Sequence, residues 1–232
     1  MAFALLDNSG PVSAAQLQSW LATLAPKERH RADGLDSPQR QQEFVAARVL
    51  LQGIAANLLQ KSGWVSSSPG EAPVLTCADG TELSCSVAHS RGHVLAGISS
   101  TGGVGVDLEK HRDRPMDALV DRYFSPSDRR QFHSRSTAQA QRWFYRQWCA
   151  REALLKGEQH SNLYQLLKQP LTPAQAQRLW LGQTETLTVA ILQERNNSPQ
   201  VWRATSQADG TLQFHKPSPV GPLARLAELT QQ

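Results

Sequence analysis

The chain has 232 residues, 40% of them hydrophobic and 19% charged, with a net charge of +4, a balance that excludes both disorder and a highly charged extended helix. No apolar run reaches the roughly 18 residues of a membrane-spanning helix, and MAFALLDNSG is too short and too poor in basic residues to read as a signal peptide. Cys77, Cys85 and Cys149 form no CxxC pair, so neither a disulfide framework nor a zinc site is signalled. The expectation is a soluble, cytoplasmic, globular protein with no membrane partner.

In chain order, the first expected helix runs from about Ser13 to Leu24, where Leu17, Trp20, Leu21 and Leu24 share one face and Pro26 follows the end. Ser37-Pro38 opens a second, reaching about Leu59. Residues 62–73 read as a loop. Strands are expected near Leu83–Ala88, Val94–Ser99 and Val104–Leu108, the last two joined as a hairpin by Ser-Ser-Thr-Gly-Gly. Helices follow at Pro115–Tyr123, after the Ser125-Pro126-Ser127-Asp128 cap, and at Thr137–Gly157. Beyond lie turns, strand-like runs at Thr186–Leu192, Val201–Thr205 and Thr211–His215, and a Pro-rich, weakly helical end from Pro217. The element order repeats across a midpoint near residue 105, which predicts an α+β fold of two similar halves, 1–105 and 106–232.

Charge is concentrated between Lys110 and Lys156, where eleven Lys/Arg face five acids, a local +6 against −2 for the rest. Nine of the eleven are arginines, whose forked guanidinium suits phosphate and carboxylate. An anionic partner is one reading and solvated helix faces with local ion pairs are the other. Nucleic acid is disfavoured, because no zinc-finger spacing is present and packing explains the interleaved aromatics.

Three short motifs could carry chemistry. In Gly105-Val106-Asp107-Leu108-Glu109, strand alternation puts Asp107 and Glu109 on one face, a half-site for Mg²⁺ or simply two solvated acids. Trp148, Glu152 and Lys156 recur every fourth residue of the longest helix, so Glu152 could be a third metal ligand or a general base, and Lys156 a phosphate partner. The pair could equally be an ordinary surface ion pair. His89-Ser90 could donate to a phosphate or lie idle in a turn; adjacent strand side chains point apart, which disfavours a Ser–His nucleophile. No Gly-rich phosphate loop is present.

In this order the motifs resemble those of the surfactin-type 4′-phosphopantetheinyl transferases: Ala88-His89-Ser90, then Gly105-Val106-Asp107-Leu108-Glu109, then Trp148-Cys149-Ala150-Arg151-Glu152-Ala153-Leu154-Leu155-Lys156. Arg122-Tyr123-Phe124-Ser125 resembles the family's Arg-Phe-Phe-Ser, and Pro26–Arg31 and Phe44–Arg48 its basic N-terminal stretch and following helix. The resemblance implies two α+β halves related by a pseudo-twofold axis, with coenzyme A and Mg²⁺ in the cleft between them. It implies transfer of phosphopantetheine to a serine of an acyl or peptidyl carrier protein, by a monomeric enzyme. Carried over from that resemblance, Asp107, Glu109 and Glu152 would bind the metal, Glu152 with Lys156 would help deprotonate the serine, His89, Ser90 and Lys156 would hold coenzyme A at its phosphates, and Arg31 and Arg48 would hold its 3′-phosphate. Carrier recognition is expected around Tyr123–Arg130. Three departures bear on this: Arg151 for the usual lysine, Ala88 where many members have serine, and Glu71 near the expected phosphate lysine. They leave an alternative, an impaired homologue that binds coenzyme A or carrier without efficient turnover.

Overall fold

The computed structural model describes residues 1–7, 10, 12–158, 162–194, 197–216, 220 and 223–229. The elements in chain order are β1 (Ala2–Asp7), α1 (Ala14–Thr23), α2 (Pro26–Asp33), α3 (Pro38–Leu58), β2 (Gly63–Ser66), β3 (Val74–Cys77), β4 (Glu82–Ser90), β5 (His93–Ser99) and β6 (Gly105–Lys110). Then follow α4 (Met116–Tyr123), α5 (Pro126–His133), α6 (Thr137–Gly157), α7 (Leu163–Leu167), α8 (Pro173–Arg178), β7 (Leu179–Gln183), β8 (Leu187–Leu192), β9 (Val201–Ser206), β10 (Leu212–His215), β11 (Ala224–Arg225) and α9 (Leu226–Leu229). The fold is α+β, as expected. The chain forms two compact units, Met1–Val104 with Pro199–Pro219, and Gly105–Ser198 with Val220–Gln232.

The first unit is a seven-stranded sheet in the order β10-β9-β1-β5-β4-β3-β2, antiparallel except for the β1–β9 pair. Helix α3 packs on this sheet, with Val45, Leu50, Leu51 and Ile54 buried in one core with Leu6, Leu75, Val94 and Ile98. Its start is fixed locally: the Ser37 hydroxyl accepts from the Arg40 amide at 3.1 Å, and Pro38 occupies the first turn, where a missing N–H costs nothing.

The second unit is an antiparallel sheet in the order β11-β7-β8-β6, with α6 packed on β6 and β8. Ser136 and Gln139 form a reciprocal cap at the start of α6. At its end a glycine pair lets backbones touch. A Cβ on Gly105 would lie 1.9 Å from the Ala153 carbonyl oxygen, and one on Gly157 would lie 2.9 Å from the Gly105 amide nitrogen. No other residue type permits that approach, and it brings Lys156 down onto β6.

Three expectations are corrected. Residues 62–73 are not all loop, because Trp64-Val65 lie in an edge strand paired with Thr76 and Leu75; the flanking Ser, Gly and Pro residues mask four residues of strand. The expected hairpin between Val94–Ser99 and Val104–Leu108 does not form. Strand β5 turns back on β4 through Arg91-Gly92, both at positive φ (49° and 81°), whereas β6 pairs with β8 in the other sheet. That two-residue turn, closed by the Ser90–His93 pair, has the backbone sense that matches strand twist. Third, the stretch expected to be turns after Gly157 contains α7, α8 and β7 among its described residues; their caps, Asn162 and Thr172, accept from the Tyr164 and Gln175 amides.

Candidate active site

In the second unit the sequence-expected acids and lysine gather where α6 meets β6. Asp107 is buried, and the Lys156 ammonium donates to its Oδ1 at 2.8 Å and to the Val106 carbonyl at 3.2 Å. Asp107 Oδ2 is also buried and receives no conventional N–H or O–H donor, while the Cys149 thiol is a weak hydrogen-bonding neighbour of the carboxylate. Burial pushes the Asp107 carboxyl above the usual carboxylate range; Lys156 opposes the shift and Glu109 adds to it. Half-buried Glu152 moves the same way, first through burial and then through Asp107, with Lys156 opposing and Glu109 reinforcing. For Lys156, burial disfavours the ammonium, but Asp107 and Glu152 outweigh it and raise its pKa. Asp107, Glu109 and Glu152 thus form a partly buried acidic cluster whose charges disfavour one another, with Lys156 as the cation among them.

The residues that hold this arrangement were not singled out by sequence reasoning. Tyr145, on α6, accepts from the Arg112 amide at 2.8 Å and donates to the Arg112 carbonyl at 2.9 Å, which fixes the chain as it leaves β6. Arg114 then lies over the Tyr145 and Trp148 rings and donates to Glu109 Oε2 at 2.9 Å. A basic residue five positions after Glu109 was visible in the sequence, but nothing there showed the return.

Among the described residues, no three His, Cys, Asp or Glu side chains stand arranged as a ready metal site. The donor set nevertheless fits a hard divalent cation. Carboxylate oxygen is the ligand Mg²⁺ takes, Glu109 adds to the raised pKa of both Asp107 and Glu152, and Asp107 Oδ2 is a buried acceptor without a conventional donor that a cation would complete.

Arg151, next to Glu152 on α6, has a different task. Fully buried, it donates through Nη2 to Asp128 Oδ2 at 2.7 Å and to the Gln169 carbonyl at 3.1 Å. Its Nε donates to the Leu166 carbonyl at 3.1 Å, and Nη1 to Gln147. It ties α5 and the end of α7 to α6. Burial, partly offset by Asp128, lowers its pKa to about 10, so it stays charged at neutral pH.

In the first unit the expected coenzyme A residues fall in two places. Arg48 is buried against Glu28, Nε to Oε2 at 2.7 Å, and also donates to Ser67 Oγ at 2.7 Å. Arg31 donates to the same Ser67 Oγ at 2.5 Å, and both guanidiniums lie over the Phe44 ring, at 5.2 Å for Arg31 and 4.1 Å for Arg48. His89, exposed at the end of β4, has its Nδ1 3.0 Å from Glu43 Oε2, and Ser90 closes the hairpin next to it. Ala88 is buried in the same strand, and Glu71 is exposed. Sequence reasoning missed Glu28, Glu43 and Ser67; Glu28 lay inside a quoted motif, but its partners are 20 and 39 residues away.

Residues 103–201, which contain the second and third of the three motifs, match the sequence profile of the 4′-phosphopantetheinyl transferase superfamily. Two relatives agree. The slr0495 protein of Synechocystis sp., provisionally named a 4′-phosphopantetheinyl transferase, is 29% identical over 150 residues, 63% of this chain and 61% of its own length. The 4′-phosphopantetheinyl transferase HetI of Nostoc sp. is 29% identical over 153 residues, 61% of this chain and 62% of its own. The chain thus spans a little over three-fifths of the length of each relative.

Proposed function

We infer that this chain, which carries a domain of the 4′-phosphopantetheinyl transferase superfamily, is a transferase that moves the 4′-phosphopantetheine group of coenzyme A to a serine of an acyl or peptidyl carrier protein. The observation that carries the reading is the coupled set Asp107, Glu109, Glu152 and Lys156, three mutually repelling carboxyls and one ammonium on a strand end and a helix face. Asp107, Glu109 and Glu152 are the residues that would hold Mg²⁺; bound there, the ion offsets negative charge on the phosphate oxygens of the coenzyme. Glu152, its pKa raised by burial and neighbouring acids, accepts the proton of the carrier serine, a task for which a carboxylate shifted towards neutrality is suited. The serine oxygen bonds to the β-phosphorus of the pyrophosphate as the bond to the leaving phosphate breaks, and 3′,5′-adenosine bisphosphate departs. Lys156 faces the growing negative charge with a permanent positive one.

In the first unit, Arg31, His89 and Ser90 are assigned to coenzyme A phosphates. Arg48, already committed to Glu28, supports Arg31 more than it binds ligand. The carrier is recognised through Tyr123 and the arginines that follow it. Tyr123 stacks at 4.5 Å on the half-exposed Tyr164 and has the Arg122 guanidinium over its ring, with Arg129 and Arg130 following on α5, a combination suited to an acidic helix with an apolar stripe. The described residues include no helix long and apolar enough to cross a membrane. All three cysteines are free, which fits a reducing cytoplasmic location.

Release of adenosine bisphosphate tests the metal assignment. With coenzyme A and an apo carrier, release is expected to stop on chelation and to return with Mg²⁺. Full-rate release in excess chelator, from protein shown free of metal, would refute it.

A further inference from the structure

The Glu28–Arg48–Ser67 cluster is more elaborate than packing requires. Ser67 is buried, and its single hydroxyl is fully used: the proton goes to the Glu28 carboxylate, with both oxygens 3.2 Å away, and the oxygen accepts from Arg31 Nη1 and Arg48 Nη2. The Ser67 amide also donates to Glu28 Oε1 at 2.9 Å. Glu28 balances Arg48, and among the described residues Arg31 has no carboxylate partner. The cluster therefore carries one surplus positive charge, placed on the more exposed of the two guanidiniums. Arg31 uses one of its five N–H donors on Ser67 and rests on Phe44, which leaves a preoriented fork for an anion.

We propose that Ser67, held by Glu28, is a positioning residue that aims Arg31 at the 3′-phosphate of coenzyme A and so sets the preference for coenzyme A over its 3′-dephospho form. This rests on the assignment of Arg31 to the coenzyme made above. A guanidinium held on two sides presents its donors without the ordering cost that a free arginine incurs on binding. Without the hydroxyl, Arg31 loses one support and Arg48 a buried acceptor, and the fork swings away from its target.

Titration calorimetry of the purified protein with coenzyme A and with 3′-dephospho-coenzyme A needs no carrier and no turnover. The native protein is expected to prefer coenzyme A by roughly ten- to a hundredfold, the range for hydrogen bonds to a charged group. Arg31→Ala should remove most of that preference. Ser67→Ala should lower it by about three- to tenfold through the coenzyme A affinity alone, and Ser67→Thr, which keeps the hydroxyl, should restore it. Thermal melts confirm that each variant is folded. Loss of preference in Arg31→Ala but not in Ser67→Ala overturns the positioning role, as does equal weakening of both ligands by Ser67→Ala. No change in Arg31→Ala, or no coenzyme A binding by the native protein, instead overturns the assignment of Arg31 to the coenzyme and takes this inference with it.

Discussion

Glu152→Gln is expected to lose transfer by about a hundred- to ten-thousandfold, the range over which a positioned general base acts, while the ligand-free protein melts no lower than the native one. The two halves of that result have one cause. Burial and the neighbouring Asp107 and Glu109 hold the Glu152 carboxyl above its ordinary pKa, more than Lys156 offsets. A group whose folded pKa exceeds its unfolded value favours the fold only at low pH and opposes it once pH has risen past the folded value. At neutral pH the Glu152 charge therefore costs stability, and the isosteric amide removes that cost together with the base. A structural residue would show the reverse, with lost stability and activity falling in step. Coenzyme A binding measured by calorimetry should persist in the variant, since the substitution changes one carboxylate and leaves the first unit untouched. Undiminished turnover would refute the role given to Glu152.

Arg151→Met should have the largest effect on stability. The guanidinium is fully buried and makes bonds to Asp128, Gln147, Leu166 and Gln169 from a single side chain. Removing it leaves the Asp128 carboxylate buried without its cation, a loss of about 3–5 kcal/mol in comparable cases. In a chain of this size that corresponds to a melting temperature lower by roughly 10 °C. Combining it with Asp128→Leu should recover a substantial part, because the apolar pair removes the uncompensated charge along with its partner. A double variant as unstable as Arg151→Met alone would show that the carbonyl bonds to Leu166 and Gln169, not the ion pair, dominate. The position also settles one departure from the family pattern: an arginine here binds α5 and the end of α7 to α6, which five donors in a planar fork can do and a lysine cannot.

Local signals in the sequence located most helices. Ser13, Ser37-Pro38 and Ser125-Pro126 each cap the helix that their chemistry predicts, and α6 spans the expected Thr137–Gly157. Proline was harder to read: Pro26 ends one helix and begins the next, and as a stop signal alone it hid α2. Strand β1 escaped because Ala2–Leu6 is a short run apolar on both faces. It lies between β5 and β9, where no alternation is required. The hairpin error came from treating neighbouring strands as partners, although Gly105 leaves the first sheet to pair with Leu192.

The site divides along the same line. Asp107 and Glu109 on one strand, and Glu152 and Lys156 on one helix face, follow from the periods of two and three-to-four residues. Their meeting depends on Gly105 and Gly157, whose mutual approach no periodicity reveals. Ser67 and Glu28 are 39 residues apart, and Arg114 reaches Glu109 only because Tyr145 pins the chain between them. Such contacts are set by tertiary packing and leave no local trace.

The intact mass of a carrier protein tests the central claim most directly. The protein is incubated with coenzyme A, Mg²⁺ and a panel of apo acyl and peptidyl carriers, each beside a version with its acceptor serine changed to alanine. The account predicts that at least one carrier gains the mass of a single phosphopantetheine group, and that its alanine version, and the same carrier with Asp107→Ala enzyme, gain nothing. A folded, coenzyme A-binding protein that modifies no carrier in the panel would contradict the transferase reading and leave a binding protein in its place.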